Sequence, residues 1–425
     1  MLRLKLILQV TSRFFHLSPF TIVSCALAVV FTFSPLLARG QAASLQPTPH
    51  ADPLNFDPTV RDAYAHFYNL DYDGSIARFE LVVKAHPQNP MAYAYELMVT
   101  IFRELYHQDL LDTTYYAHDS FLTTMRRVDI PSANRDRIEY LFSQTLALAE
   151  QRIKANSNDK NALFARGYAR GLHAAFMTLA DHSYVGAARQ GLAARNDSEA
   201  VLRIDPDYAD ANMAIGIQQF AIASLPRLIR MVVGIAGVGG NKERGLALIR
   251  VAAEKGVVTS VESRTALSLF LRHDARYPEA LVVQHGLATQ YPHDYLFRLE
   301  EANLTKDNGD GPGAIAIYKL VLADARKPGF YTDPRLQMAW FGLADTERGQ
   351  NDIIDAARHY LEAADQQNCS DWLRKRAQLN AGQMFDLLHD RPNAIAQYQK
   401  ALNGGGDQSQ ADAAKKYLKT PYAGR

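Results

Sequence analysis

The residues whose types and spacing come nearest to a chemical site form the glycine-rich run Gly234–Glu243 (GIAGVGGNKE). A phosphate-binding loop needs glycine backbone N–H groups, a lysine for the phosphates, and a Ser or Thr directly after it for magnesium. Here Asn241 separates Gly240 from Lys242, and Glu243 takes the place of the hydroxyl residue. We therefore interpret the run as a loop between two helices, with a ligand site as the alternative.

The other side chains that could do chemistry are scattered. The 13 histidines show none of the spacings typical of zinc sites, and no Gly-x-Ser-x-Gly nucleophile elbow occurs. Of the two cysteines, Cys25 lies in the N-terminal leader described below, which leaves Cys369 without a disulfide partner. The sequence thus predicts no catalytic residue, no metal, no cofactor and no enzymatic activity.

Two further segments could recognise a ligand or a membrane. Leu225–Val238 (LPRLIRMVVGIAGV) is the most apolar internal stretch, but its arginines favour an insertion packed on the protein over a membrane-spanning segment. The run 105–121 (LYHQDLLDTTYYAHDSF) is rich in aromatic residues. We interpret it as the core of a divergent hairpin, with a recognition site as the alternative.

Composition excludes several classes of protein. The 425 residues are 48% hydrophobic and carry 46 Lys+Arg against 45 Asp+Glu. This balance is not that of a disordered chain, which combines low hydrophobicity with high net charge. Nor does it indicate a protein that binds nucleic acid through overall basicity, and we expect no nucleic-acid partner.

The N-terminal segment has the order of an export signal. Arg3, Lys5 and Arg13 precede the apolar run Phe20–Leu37, and small residues follow up to Ala42. We expect residues 1–42 to be a cleaved signal peptide and the protein to be exported to the periplasm or cell envelope. The alternative is an uncleaved N-terminal helix that anchors the chain, and membrane contact is expected only there or through Leu225–Val238.

The elements that must position any site repeat along the chain. Ala314-Ile315 is followed by Tyr318, and Ala394-Ile395 by Tyr398, in the same pattern of small, aliphatic and aromatic residues. Ala280 and Ala314 occupy equivalent positions 34 residues apart. Apolar residues at this spacing form one stripe of a helix, and the small residue lets a second helix approach closely.

These motifs resemble the tetratricopeptide repeat family, whose unit is a 34-residue helical hairpin. The segment 204–292, with IDPDY at 204–208 and GGNKE at 239–243, is similar to a group of exported bacterial repeat proteins. The resemblance implies an all-α fold, a right-handed superhelical solenoid of about seven to nine antiparallel helical hairpins. The expected divisions are the signal peptide (1–42), a disordered linker (43–57), divergent hairpins (58–205), a unit with a glycine-rich insertion (206–260), regular repeats (261–403) and a C-terminal tail (404–425).

The resemblance also implies a binding groove lined by the first helix of each repeat. The family's groove positions fall on Arg272, His273, Asn303, Lys306, Asp307, Phe341, Asp345, Arg348, Arg376, Gln383 and Asp386. Some members clamp a peptide carboxylate with a Lys and two Asn residues. Asn303 fits one of these positions, but Leu299 and Gly342 occupy the others, so such a clamp is not expected.

The sequence therefore predicts an exported, non-enzymatic scaffold that binds a peptide or a partner subunit in its groove. The alternatives are an envelope-associated accessory component of a transport or secretion system, or an enzyme with a site near residues 225–245.

Overall fold

The computed structural model describes residues 47–113, 128–224, 239–402 and 408–424. Within these ranges the chain forms helices and no strands, which confirms the predicted all-α class. The α-helices are α1 (Pro58–Phe67), α2 (Tyr72–Ala85), α3 (Pro90–His107), α4 (Ser132–Ala155), α5 (Lys160–Leu179), α6 (Tyr184–Ile204), α7 (Asn212–Ser224), α8 (Lys242–Lys255), α9 (Ser260–His273), α10 (Tyr277–Gln290), α11 (Tyr295–Asp307), α12 (Gly311–Asp324), α13 (Gln337–Gly349), α14 (Ile353–Asp365), α15 (Asp371–Leu387), α16 (Arg391–Leu402) and α17 (Gln408–Lys419). Short 3-10 helices occur at Pro53–Phe56 and Ala209–Ala211.

Consecutive helices pack as antiparallel pairs, and each pair packs against the next along the chain. The described residues contain eight such hairpins, from α1–α2 to α15–α16, and α17 packs on the last of them. This is the solenoid of helical hairpins that the repeats predict, and the number lies within the expected range.

The turn inside several hairpins consists of a residue in the left-handed conformation followed by an Asp that caps the next helix. Leu70 and Asn351 adopt the left-handed conformation, with φ of 59° and 63°, which ends the first helix. The next residue, Asp71 or Asp352, accepts a hydrogen bond from an N–H group in the first turn of the second helix. Two residues thus stop one helix and start the next, which keeps the hairpins tight.

Close helix crossings explain the small residues of the repeat. A Cβ atom on Gly216 of α7 would lie 2.8 Å from the carbonyl oxygen of Gly245 of α8. On Gly342 of α13 it would lie 2.6 Å from the ring of Tyr318. The helices α7 and α8, which lie before and after the glycine-rich run in the sequence, pack against each other.

The segment predicted to be a disordered linker, 43–57, differs from that prediction in its described part. Leu54 is buried, Asp52 caps the 3-10 helix, and the ring of His50 lies 2.8 Å from the Asp205 carboxylate. The apolar side chain and the contact between His50 and Asp205 hold the segment against the hairpins, which its proline-rich composition did not indicate.

Among the described residues, no helix has both the length and the apolar character that crossing a membrane requires. The predicted signal peptide and Leu225–Val238 lie outside the described residues, as do residues 114–121 of the aromatic-rich run.

Candidate protein-binding face

All eleven predicted groove residues lie on first helices of hairpins, on α9, α11, α13 and α15. We call the side of these four helices that carries them the groove face. The structure divides the face into two parts covered by the chain itself and a middle part that stays partly exposed.

The first part is covered by residues 109–113, which follow α3 and which we call the strap. Arg272 is 3% exposed and donates to the hydroxyl of Thr113 at 3.0 Å. It also donates to the carboxylates of Glu300 at 3.1 Å and Asp307 at 2.8 Å. The Asn303 amide, 6% exposed, lies 3.4 Å from Asp112 of the strap. Arg272 and Asn303 are therefore buried against this chain's own strap.

Asp109 attaches the strap to the starts of the hairpins α13–α14 and α15–α16. Its carboxylate accepts hydrogen bonds from Arg335 Nε at 3.1 Å, Gln337 Nε2 at 2.8 Å and the Ser370 backbone N–H at 3.1 Å. The Asp109 and Arg335 side chains are only 2% and 7% exposed. The pair is thus a buried, fully hydrogen-bonded salt bridge between distant parts of the chain.

A second part of the groove face is covered by the C-terminal end. The backbone N–H of Tyr422 donates to the Asp386 carboxylate at 2.8 Å, and Arg348 donates to the Tyr422 hydroxyl at 3.3 Å. Asp386 also accepts from Arg391 at 2.9 Å and from the Tyr398 hydroxyl at 2.7 Å. Asp386 is therefore buried and fully engaged within the chain.

The middle part lies on α13 and α15, with Lys306 at the end of α11 beside it. The guanidinium of Arg376 sits 5.1 Å from the centre of the Phe341 ring and 5.2 Å from that of Trp372. Phe341 and Trp372 are partly exposed and Arg376 is exposed. Lys306 and Asp345 form an ion pair at 3.7 Å. This is the part of the predicted groove with side chains that an incoming partner could contact.

Several predicted groove residues also serve the hairpin fold. Buried tyrosines of second helices donate their hydroxyls to Asn303 and Asp345, the latter from Tyr360 at 3.0 Å. Burial raises the pKa of Tyr360, so its hydroxyl stays protonated and donates. Polar side chains at the predicted groove positions therefore partly serve to hold two helices of a hairpin together.

Two other predicted residues lie apart from these contacts. The ring of His273 lies 3.3 Å from the Asp274 carboxylate and edge-on to Phe220. Gln383 is 8% exposed, within the packed part of α15.

The described end of the glycine-rich run has a structural role. A Cβ atom on Gly240 would lie 2.5 Å from the backbone nitrogen of Ala223, so glycine allows close contact with α7. Asn241 caps α8, and Lys242 pairs with Asp274 at 2.5 Å. The lysine that a phosphate site would use is therefore engaged with a carboxylate.

One group of potential metal ligands occurs in the described residues. His50, Asp205 and Asp207 have ligand atoms within 4.8 Å of one another. Asp205, however, already accepts from Lys160 at 2.6 Å and lies 2.8 Å from His50. Its carboxylate oxygens are thus already engaged by Lys160 and the His50 ring, which explains the cluster as a hydrogen-bond network.

Sequence reasoning missed three contributors to the groove face. The sequence did offer a signal for Trp372, because it is one of only two tryptophans in the chain. The strap and Tyr422 gave no signal, because their partners on the face are far away in sequence.

No family model and no curated protein matches this chain. Solved structures that it is similar to include yeast Tom70, with 11% identity over 85% of this chain and 87% of that chain and a TM-score of 0.41. A tetratricopeptide repeat protein from Parabacteroides merdae has 13% identity over 76% and 99% of the two chains and a TM-score of 0.34. A human IFIT1 dimer with m7Gppp-AAAA has 11% identity over 85% and 80% and a TM-score of 0.43.

These comparisons correct one prediction. Structures of human IFIT1, which resembles this chain, contain m7Gppp-AAAA and PPP-AAAA. The expectation that nucleic acid is excluded as a partner is therefore wrong, because the net charge of a whole chain does not describe the charge of one face.

The fold follows from the hairpins themselves and agrees with these comparisons. Eight helical hairpins with small residues at their crossings stack in chain order over the described residues. The chain is a helical solenoid with a tetratricopeptide-repeat-like fold.

Proposed function

We propose that this protein is an interaction scaffold that binds an extended segment of a partner protein across the middle part of the groove face. The observation that carries the proposal is the arrangement of Arg376 over Phe341 and Trp372. Arginine and aromatic residues dominate the binding energy of protein interfaces, because they bury a large area and also form hydrogen bonds.

The chemistry of the face indicates the kind of segment. Arg376 contacts two rings and, among the described residues, forms no ion pair with a carboxylate within 4.0 Å. Its donors can therefore take a carboxylate or backbone carbonyl of the partner, while the partner's apolar side chain packs on Phe341. We expect a segment that combines an acidic group with an apolar anchor.

The proposal is tested by selecting peptides from a random display library on the full chain and measuring their affinity by fluorescence anisotropy. We expect Arg376→Ala and Phe341→Ala to weaken the selected peptides at least tenfold. The matched control is Arg358→Ala, on the second helix α14, where the side chain is 62% exposed. Peptides that bind Arg376→Ala as tightly as the unchanged chain would contradict the proposal.

We also propose that the protein works outside the cytoplasm. The support is the order of basic, apolar and small residues in 1–42. Cell fractionation with N-terminal sequencing of the mature chain tests this. A start near Ala43 in the periplasmic fraction supports a cleaved signal, retention in membranes with an intact N-terminus supports the anchor, and a cytoplasmic protein refutes both.

A further inference from the structure

Among the described residues, Glu262 differs from the buried carboxylates in the partners of its carboxyl group, of which one oxygen atom is buried. Most buried carboxylates face a cation, and the clearest pairs are Glu96 with Arg137, Asp109 with Arg335, Asp197 with Arg166 and Asp386 with Arg391. Others accept several backbone N–H groups, as Asp210 does from residues 257–259. Glu262 of α9 has neither kind of partner among the described residues.

Within the part of the chain that the structure describes, the only hydrogen bond to the Glu262 carboxyl comes from the Tyr68 hydroxyl, which lies 3.2 Å from Oε1. Its other oxygen, Oε2, is buried and has no hydrogen-bond partner among the described residues. A buried acceptor without a partner costs about 1–3 kcal/mol, and more when it is charged. Such an atom calls for an explanation.

Unpartnered hydroxyls lie around the same carboxyl group. The Tyr64 and Tyr168 hydroxyls are buried without a well-aligned hydrogen bond. Burial raises the pKa of both, and the nearby charge of Glu262 raises each further. Glu262 Oε2 and the hydroxyl oxygens of Tyr64 and Tyr168, which interact with each other, are thus three oxygen atoms in one region, between α1, α5 and α9, that can each accept a further hydrogen bond.

Several side chains around the Glu262 carboxyl group reach the surface in part. Tyr64, Tyr68 and Glu262 are partly exposed, as is Tyr291, whose ring centre lies 4.8 Å from that of Tyr68. Deeper in, Tyr95 is completely buried. A small group could therefore reach the carboxyl oxygen from the surface.

We propose that the region between α1, α5 and α9 binds a primary ammonium group, which donates to Glu262 Oε2 and to the hydroxyl oxygens of Tyr64 and Tyr168. An ammonium group carries three N–H donors and no acceptor, which matches three oxygen atoms that can accept a hydrogen bond. Its charge also neutralises a buried carboxylate, and charge-assisted hydrogen bonds of this kind are the strong ones. The site is separate from the groove face and does not depend on the function proposed for it.

Titration of Glu262 sets the conditions for the test. Burial raises the pKa of Glu262 to about 7, so a cation competes with a proton there and binds better at pH 8 than at pH 6. The titratable and charged groups that act on this carboxyl are Tyr64 and Tyr68 of α1, Tyr168 of α5, Asp210 of the 3-10 helix, Arg264 of α9 and Tyr291 after α10.

The experiment measures binding of n-butylammonium to the full chain by calorimetry at pH 8. Tetramethylammonium, which has no N–H donor, and n-butanol, which has no charge, serve as matched probes. A second arm uses a short capped peptide with one lysine, against its norleucine counterpart, to distinguish a free amine from a lysine side chain. We expect saturable binding of one ammonium probe and at least tenfold weaker binding of the corresponding neutral probe.

The variants identify the site. Glu262→Gln should weaken binding at least tenfold, and Tyr64→Phe at least threefold. Tyr64→Phe keeps the packed ring and removes only a hydroxyl without a well-aligned hydrogen bond, so it should lower the melting temperature little. Equal binding of butanol or norleucine, binding unchanged in Glu262→Gln, or a crystal structure in amine that shows only water on Oε2 would each overturn the proposal.

Discussion

The buried pair of Asp109 and Arg335 makes the strap the most informative place to perturb this protein. We predict that Asp109→Asn lowers the free energy of unfolding by about 3–5 kcal/mol, the usual result of removing one partner of a buried salt bridge. The substitution keeps size and shape but places an amide NH2 where three donors converge, from Arg335, Gln337 and Ser370. It also leaves the guanidinium buried without its counter-charge.

Asparagine is the right replacement for a reason of backbone geometry. Asp109 has φ of 54°, in the left-handed region that Asn tolerates and that most other residues avoid. Asp109→Ala would add backbone strain to the lost contacts, so its effect could not be assigned to the charge. Asp109→Asn isolates the electrostatic part.

The assay is urea denaturation followed by circular dichroism. The control is Asp412→Asn, in an exposed pair with Lys415 at 3.5 Å, which should change stability by less than about 1 kcal/mol. Arg335→Met should also destabilise the chain. Because the two residues are in contact, the double variant should be less destabilised than the sum of the single changes by about 1 kcal/mol or more. A cost below about 1 kcal/mol for Asp109→Asn would refute the argument that the strap is held by a buried charge.

Three more predictions concern packing, pH and reactivity. Gly342→Ala should destabilise by about 1–3 kcal/mol by forcing a methyl group into the Tyr318 ring, whereas Gly171→Ala, with open space around it, should be neutral or stabilising in thermal melts. The folded-state pKa of Glu262 is about 7, against an ordinary value of 4.5, so the folded chain holds a proton that the unfolded chain has released, and stability should fall as pH rises from about 4.5 through 7. Glu262→Gln should reduce this loss, by at most about 3 kcal/mol at pH 8, and an unchanged pH profile would contradict the assignment. Burial raises the pKa of Cys369 to about 12, so iodoacetamide should label it slowly at pH 8 in the native chain and fast in urea; equal rates would count against its burial.

The hairpins could be predicted from the sequence because their determinants are local. The spacing of Ala314 and Tyr318, or of Gly216 and Phe220, indicates the buried face of a helix. The small residue of each pair marks where the neighbouring helix of the same or the next repeat crosses. The same pattern placed all eleven groove residues on first helices. Local spacing is enough for these features, since each hairpin packs mainly on its neighbours.

The coverage of the groove face could not be predicted in this way. Asp109 stands at the left-handed turn position where other hairpins go on to an Asp cap and a second helix, but Leu110 follows it. The chain then continues as the strap, toward partners that lie 226 to 261 residues further on. The repeat pattern of the sequence gives no sign of a contact between residues so far apart. The disordered-linker prediction failed for a similar reason, since Asp205 holds His50 across 155 residues.

The strap also bears on how the chain can be shortened. In a simple solenoid, removing terminal repeats subtracts their stability and leaves the rest folded. Here a chain that ends before Asp333 would keep the first hairpins but leave Asp109 without Arg335 and Tyr106 without its acceptor at Asp333. A nascent chain meets the same condition, because the strap is synthesised long before its partners. The strap therefore cannot dock until Arg335, Gln337 and Ser370 have been synthesised, so the covered part of the groove face is completed late.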